Sequence, residues 1–142
     1  MKINKEKLDL ASSKGIELIV LFGSRVEKSA TAQSDYDIAV LTEAEKNIGE
    51  LSNYSNILLF LRQALNIPDY KIDLTNINNA NPLLLREIFS QGKLLYGNPN
   101  IFAEYRAFAF REYLDAQSLF ELEHYMIEKR HKMLKQLISN QF

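Results

Sequence analysis

Residues 16–42 read IELIVLFGSRVEKSATAQSDYDIAVLT, and this stretch decides the fold. Its first segment, Ile16–Phe22, is nearly all apolar and contains β-branched residues, which predicts a strand buried on both faces. Gly23 and Ser24 interrupt that run, and a second strand is predicted over Tyr36–Thr42. The stretch therefore predicts two strands joined by a Gly-Ser bend and a polar loop that ends in Ser-Asp-Tyr-Asp.

Composition narrows the class of protein. The chain has 142 residues, of which 46% are hydrophobic and 25% charged, and this is typical of one soluble domain. With a net charge of −1 the chain has no overall positive electrostatic field that would attract nucleic acid, so direct nucleic-acid binding is not expected. The absence of cysteine excludes disulfides and thiolate metal sites. The N-terminal residues are too polar for a signal peptide, and no membrane span is evident, so a cytoplasmic protein is expected.

The remaining elements follow from periodicity and from capping residues. Helical patterns are predicted at residues 4–14, 45–65 and 82–91, the last with Asn81 as N-cap and Pro82 at the first helical position. Strand patterns are predicted at residues 70–77 and, as a short edge strand, at Lys93–Tyr96. This order predicts an α/β (α+β) fold, a small mixed sheet flanked by helices.

The C-terminal part is predicted to be a helical tail. From residue 100 onward there is neither Gly nor Pro, and a single helix would be longer than a domain of this size is wide. The tail therefore either breaks near residues 115–118 or projects. We expect a core over residues 1–98 and a helical extension over residues 99–142. One apolar face of the extension should cover the sheet, and a second either packs within the chain or marks a partner surface.

Three aspartates are candidate metal ligands. Asp35 and Asp37 would share one face of a strand, where two like charges repel unless a cation such as Mg²⁺ lies between them. Asp73 lies on the polar face of a later predicted strand, where Asp is uncommon. If these strands are neighbours, the three carboxylates converge and could hold two Mg²⁺ ions with a nucleoside triphosphate. The alternative is a turn with solvated aspartates.

The Gly-Ser bend is a candidate phosphate site. Gly23 has no side chain to block a phosphate that approaches the backbone, and Ser24 offers a hydroxyl at the start of a short helix. Arg25 could add a charge-assisted contact to a phosphate. A plain turn without a ligand is the alternative interpretation.

The motif Gly23-Ser24, ten residues, Asp35-Tyr36-Asp37, with Asp73 further on, resembles the nucleotidyltransferase superfamily that includes DNA polymerase β. In its small size the chain resembles the minimal nucleotidyltransferase (MNT) branch of that superfamily. The resemblance implies that Asp35 and Asp37 bind two Mg²⁺ ions, that Asp73 completes the metal site and helps to activate the acceptor hydroxyl, and that Gly23 and Ser24 hold the phosphates of ATP. Many relatives have Gly-Ser-Arg-Ala-Arg-Gly here, whereas this chain has Glu27 and Lys28 at the last two positions, and Lys28 is a candidate substitute for the second arginine.

The resemblance also implies an activity and a partner. MNT proteins are similar to antitoxins encoded beside HEPN ribonuclease toxins, which implies transfer of AMP from ATP to a tyrosine hydroxyl of the toxin. Because the chain is too small to enclose an acceptor, a macromolecular acceptor is favoured. A small-molecule nucleotidyltransferase, similar to aminoglycoside-modifying enzymes, and a non-enzymatic toxin-binding module remain alternatives.

Overall fold

The computed structural model describes residues 1–27 and 29–141, with the side chain of Gln141 excepted. Lys28 therefore lies outside the described residues, and so does the role predicted for it. The elements, in chain order, are helix α1 (Lys5–Leu8) continued by a 3-10 helix (Asp9–Lys14), β1 (Ile16–Phe22), α2 (Ser24–Glu27), β2 (Tyr36–Thr42), α3 (Leu51–Leu65), β3 (Ile72–Asn76), α4 (Pro82–Gln91), β4 (Lys93–Tyr96) and α5 (Pro99–Gln141).

The four strands form one mixed sheet in the order β3-β2-β1-β4. Strand β1 pairs antiparallel with β2 and with β4, whereas β2 and β3 are parallel. The predicted bounds of β1, β2 and β4 are confirmed, and so is the α/β fold with its helical tail. The central strand β1 is buried on both faces because apolar side chains pack against each of its sides.

Two apolar clusters cover the two faces of the sheet. Ile19 and Leu21 of β1 join a cluster with α1 and α3, and Val20 and Phe22 join another with α4 and the start of α5. On the second face Phe89 of α4 lies 5.5 Å from the ring of Phe102 and 5.7 Å from that of Tyr105, measured between ring centroids. This packing fixes α4 against the sheet, beside the end of β1.

Two predicted boundaries are wrong. The helix predicted from residue 45 begins at Leu51, because Asn47 accepts a hydrogen bond from the Gly49 N–H and forms a turn before the helix. The strand predicted over residues 70–77 is Ile72–Asn76. Tyr70, the first residue of that predicted strand, lies in a 3-10 turn and is 77% exposed.

Helix α5 is continuous from Pro99 to Gln141 and does not break near residues 115–118. Among the described residues, no helix is both long enough and apolar enough to cross a membrane.

Candidate functional site

The site begins where β1 ends. Gly23 follows the last residue of β1 with φ of +74°, a left-handed conformation that favours glycine. A Cβ atom at this position would overlap Oδ2 of Asp37 and would lie 3.1 Å from its Cγ atom. The missing side chain of Gly23 is therefore what leaves room for the Asp37 carboxylate against the bend.

Asp37 and Asp73 are brought together by the sheet. Asp37 is the second residue of β2 and lies opposite Phe22 of β1 on one side. On the other side it lies opposite Asp73 of the parallel strand β3. Side chains at paired positions of adjacent strands lie on the same face, so both carboxylates emerge beside the Gly23 bend. Strands β2 and β3 are therefore neighbours, which is the condition under which the sequence predicts that their aspartates converge.

The Asp37 carboxyl lies in an electrostatically unfavourable place for a negative charge. Burial raises its pKa above the ordinary value of 3.8, and Asp73 raises this pKa further through its charge and a hydrogen bond. The charges of Asp35 and Glu87 raise it further. Because both effects disfavour the ionised form, a cation placed between these carboxylates would stabilise them.

Asp35 lies in the loop just before β2 and is exposed. It is therefore not part of the strand in which it was expected. It is carried by the loop that precedes β2, and this loop is held at two points. The Ser34 hydroxyl accepts a hydrogen bond from the Thr31 N–H at 2.9 Å, and Lys71 donates to the Ala32 carbonyl at 2.8 Å. The loop therefore keeps Asp35 near Asp37, close enough for its charge to affect the Asp37 pKa.

Ser24 and Arg25 begin the short helix α2. Ser24 is the first residue of α2 and is half-buried beside the bend. Nη2 of Arg25 donates to the Ser34 carbonyl at 2.6 Å, and its guanidinium lies 4.1 Å from the centroid of the Tyr36 ring. Nε of Arg25 is buried and has no hydrogen-bond partner in the described part of the chain. Arg25 thus supports the Asp35 loop here, and its predicted contact to a phosphate stays a prediction.

A cleft of about 570 Å³ opens in front of Asp37 and Asp73. Gly23 lines its floor, and α4 provides the opposite wall with polar side chains that the sequence analysis did not assign to the site: Arg86, Glu87, Ser90 and Gln91. The spacing of these four residues was a usable signal, because the pairs 86/90 and 87/91 lie one helical turn apart on the polar side of α4. Four carboxylates and one guanidinium line the cleft, which makes it acidic.

The donor set fits a magnesium ion. Mg²⁺ prefers carboxylate oxygens, and the repelling pair of Asp37 and Asp73 supplies them at adjacent sheet positions. Over residues 1–27 and 29–141, however, no three acidic, histidine or cysteine side chains are arranged as a shared metal site. The fold therefore juxtaposes the two aspartates of the sheet, whereas Asp35 is not among the residues that line the cleft.

Comparisons with known proteins relate the chain to one family. A family model described as "Polymerase beta, Nucleotidyltransferase" matches residues 5–100. The chain is 33% identical over 88 residues to the protein adenylyltransferase MntA of Aphanizomenon flos-aquae (strain 2012/KM1/D3). That match spans 59% of this chain and 59% of the length of the relative.

Solved toxin–antitoxin structures are similar in fold. A toxin–antitoxin crystal structure with AMP-PNP has a TM-score of 0.67 at 23% identity and covers 89% of this chain and 99% of that chain. A chain from the complex of a tri-AMPylated Shewanella oneidensis HEPN toxin with an MNT antitoxin matches this chain with a TM-score of 0.58 at 20% identity. That match covers 87% of this chain and 98% of the other. The family match includes the Gly-Ser bend and all three aspartates, and it extends over more than half of the sequence. The chain therefore belongs to the polymerase β nucleotidyltransferase family.

Proposed function

We propose that this chain is an antitoxin that transfers AMP from ATP to a tyrosine hydroxyl of a HEPN-type toxin and so neutralises it. The observation that carries the proposal is the pairing of Asp37 with Asp73 across β2 and β3, against the Gly23 bend and inside an open cleft. Family membership supports nucleotidyl transfer, and the relative that is a protein adenylyltransferase supports a protein acceptor.

The Gly23 bend and the aspartates would bind ATP in different ways, the bend through its phosphates and the aspartates through magnesium. Gly23 and Ser24 would receive the β- and γ-phosphates at the end of β1, since nothing projects from Gly23 toward the ligand. Asp35, Asp37 and Asp73 would hold two Mg²⁺ ions that neutralise the triphosphate and polarise its α-phosphate. Without cations the acidic cleft would repel the triphosphate, so binding of ATP should require magnesium.

The reaction forms one bond and breaks one. The tyrosine oxygen attacks the α-phosphorus of ATP, the bond from this phosphorus to the bridging oxygen of the β-phosphate breaks, and pyrophosphate leaves. Asp73 is exposed and next to Asp37, and it would accept the hydroxyl proton before passing it to solvent. The main contribution of the protein is positioning and charge neutralisation, as is general for phosphoryl and nucleotidyl transfer.

An external protein can reach this site. Asp35 and Asp73 are exposed, and the cleft opens between α4 and residues of β1, β2 and β3. A tyrosine on the surface of another protein can therefore approach the α-phosphate without prior opening of the fold.

The test uses the purified full chain, α-labelled ATP, Mg²⁺ and the product of the neighbouring gene, which the proposal expects to be a HEPN-type protein. We expect label on the HEPN-type protein and none when Mg²⁺ is chelated. Asp37→Ala and Asp73→Ala should each abolish the label, whereas Asp9→Ala, at an exposed aspartate outside the cleft, should leave it unchanged.

Mass spectrometry of the labelled protein identifies the acceptor residue. AMP on a residue other than tyrosine would overturn the acceptor assignment. Label only on small hydroxyl compounds would replace the proposal with small-molecule transfer, and tight binding without any label would replace it with a non-enzymatic antitoxin.

A further inference from the structure

The cleft is longer than the phosphate site at the Gly23 bend. Helix α4 ends beside that bend, since Lys93, two residues after the helix, pairs with Leu21 near the end of β1. Ser90 and Gln91, in the last turn of α4, therefore line the half of the cleft nearest the bend. This is the half in which the proposed function places the phosphates of ATP.

Three other side chains line the far half of the cleft: Thr75, Leu84 and Arg86. Thr75 follows Asp73 by two residues in β3, so it lies on the same face and roughly 7 Å farther from the bend. Arg86 precedes Gln91 by five residues, which is about 7.5 Å along α4. The far half of the cleft therefore begins at Asp73, the residue that would accept the proton of the acceptor hydroxyl.

The guanidinium of Arg86 is also directed away from the bend. Its Cζ atom lies 4.4 Å from the centroid of the Tyr113 ring in α5. Tyr113 lines an apolar cavity together with Pro82 and Leu83 of the first turn of α4, which is the end of the helix opposite the bend. Side chains of a helix tilt toward its N-terminus, so this direction is the ordinary one for Arg86. Arg86 is therefore directed toward α5 and not toward phosphates at Gly23.

The charge of Arg86 is not neutralised within the described part of the chain. Four carboxylates line the same cleft, yet over the described residues the single ion pair joins His124 to Glu128. Arg86 is exposed, so a ligand in the cleft can reach it. An arginine keeps its charge at any working pH, and its planar group both donates hydrogen bonds and stacks on aromatic rings.

The three side chains of the far half suit an aromatic ring that carries a hydroxyl. Leu84 is half-buried and offers apolar contact, and Thr75 is half-buried behind Asp73. A guanidinium stacks on the faces of aromatic rings, as that of Arg86 already does on Tyr113. An aliphatic alcohol such as serine would leave Leu84 and Arg86 without a ring to contact. The far half therefore favours a phenol over an aliphatic hydroxyl.

We propose that Thr75, Leu84 and Arg86 form the subsite for the acceptor tyrosine. The tyrosine ring packs on Leu84 and against the guanidinium of Arg86, and its hydroxyl lies at Asp73. Arg86 is a positioning residue for the ring, and Tyr113 supports Arg86 from α5. This inference rests on the proposed function, because it assigns the acceptor side of the same cleft.

Steady-state kinetics tests the assignment with the purified full chain, Mg²⁺, ATP and the product of the neighbouring gene as acceptor. Arg86→Gln removes both the charge and the stacking group, and it should raise the KM for the acceptor protein at least about fivefold while the KM for ATP stays within about twofold. The matched control is Arg62→Gln, at an exposed arginine of α3 on the other face of the sheet, and it should change neither KM.

The support from α5 is tested at Tyr113. Tyr113→Leu should raise the KM for the acceptor protein, because the guanidinium of Arg86 loses the ring on which it rests. Tyr113→Phe restores a ring and should reverse most of that increase. Circular dichroism of each variant checks that the helix content is that of the native chain.

N-acetyl-tyrosinamide tests the subsite without the surface of the acceptor protein. At millimolar concentration it should compete with the acceptor protein for the native chain, and Arg86→Gln and Leu84→Ala should each weaken this competition. N-acetyl-serinamide, which has no ring, should not compete. A tyrosine compound that fails to compete, or that competes no better than the serine compound, would overturn the proposal.

The outcomes separate this inference from the proposed function. If the native chain places no label on the acceptor protein, the proposed function is wrong and this inference with it. If the native chain transfers AMP and Arg86→Gln has the native KM for the acceptor protein, the inference alone is wrong. A KM for ATP that rises in Arg86→Gln would assign Arg86 to the nucleotide and would also overturn the inference.

Discussion

Replacing Gly23 by alanine should damage both the fold and the site, through two separable effects. The first is backbone strain, because φ of +74° costs a residue with a Cβ atom about 1–2 kcal/mol. The second is steric, because the new Cβ overlaps Oδ2 of Asp37 and must displace that carboxylate, which costs about 1–2 kcal/mol more. We therefore expect Gly23→Ala to lower the free energy of unfolding by about 2–4 kcal/mol and to reduce nucleotidyl transfer at least about tenfold, since Asp37 moves.

Gly15→Ala is the matched control. Gly15 has φ of +76°, so its backbone strain is nearly the same, and its new Cβ would crowd the Cβ and Cγ atoms of Lys46, which is not among the residues that line the cleft. It should lose a similar amount, about 2–4 kcal/mol, and keep full transfer activity. Urea unfolding followed by circular dichroism gives the stabilities, and labelled ATP gives the activities. Normal transfer by Gly23→Ala would refute the steric contact between Gly23 and Asp37.

Three further predictions concern single side chains. Because the folded-state pKa of Asp37 is raised, the stability that it contributes is greatest below its ordinary value of 3.8 and is lost as the pH rises through the raised value. Asp37→Asn should therefore make the metal-free chain more stable at pH 7 and should abolish transfer. Urea titrations at several pH values should show a flatter pH dependence of stability, and an unchanged pH profile would contradict the carboxylate pair. Arg25→Lys should lose the stacking of the guanidinium on Tyr36 and lower the free energy of unfolding by about 1 kcal/mol. Amide hydrogen exchange over residues 31–36 should become faster, and unchanged exchange would count against a supporting role for Arg25. Asn81→Ala removes the cap on the Leu84 N–H and should lower the urea midpoint by an amount equivalent to about 1 kcal/mol, while a midpoint shift near zero would argue against that cap.

Much of the local structure follows from short sequence patterns. The apolar run that ends at Phe22 and the one that begins after Asp37 have the bounds expected, because alternation and β-branched residues leave few other ways to bury them. The N-cap at Asn81 with Pro82 behind it is likewise local chemistry. The start of α3 was misplaced because the turn at Asn47 interrupts an apolar spacing that continues through it.

The sequence by itself determined the two strands, the Gly-Ser bend between them and the presence of three aspartates, since each depends on residues close together in the chain. Only the tertiary structure decided that β3 lies parallel to β2 and in the register that places Asp73 opposite Asp37. It also decided that the polar side of α4 forms the far wall of the cleft and that α5 continues away from the body as one helix. The physical reason is that strand neighbours and helix packing depend on which apolar faces cover each other, and those contacts join segments that are distant in sequence.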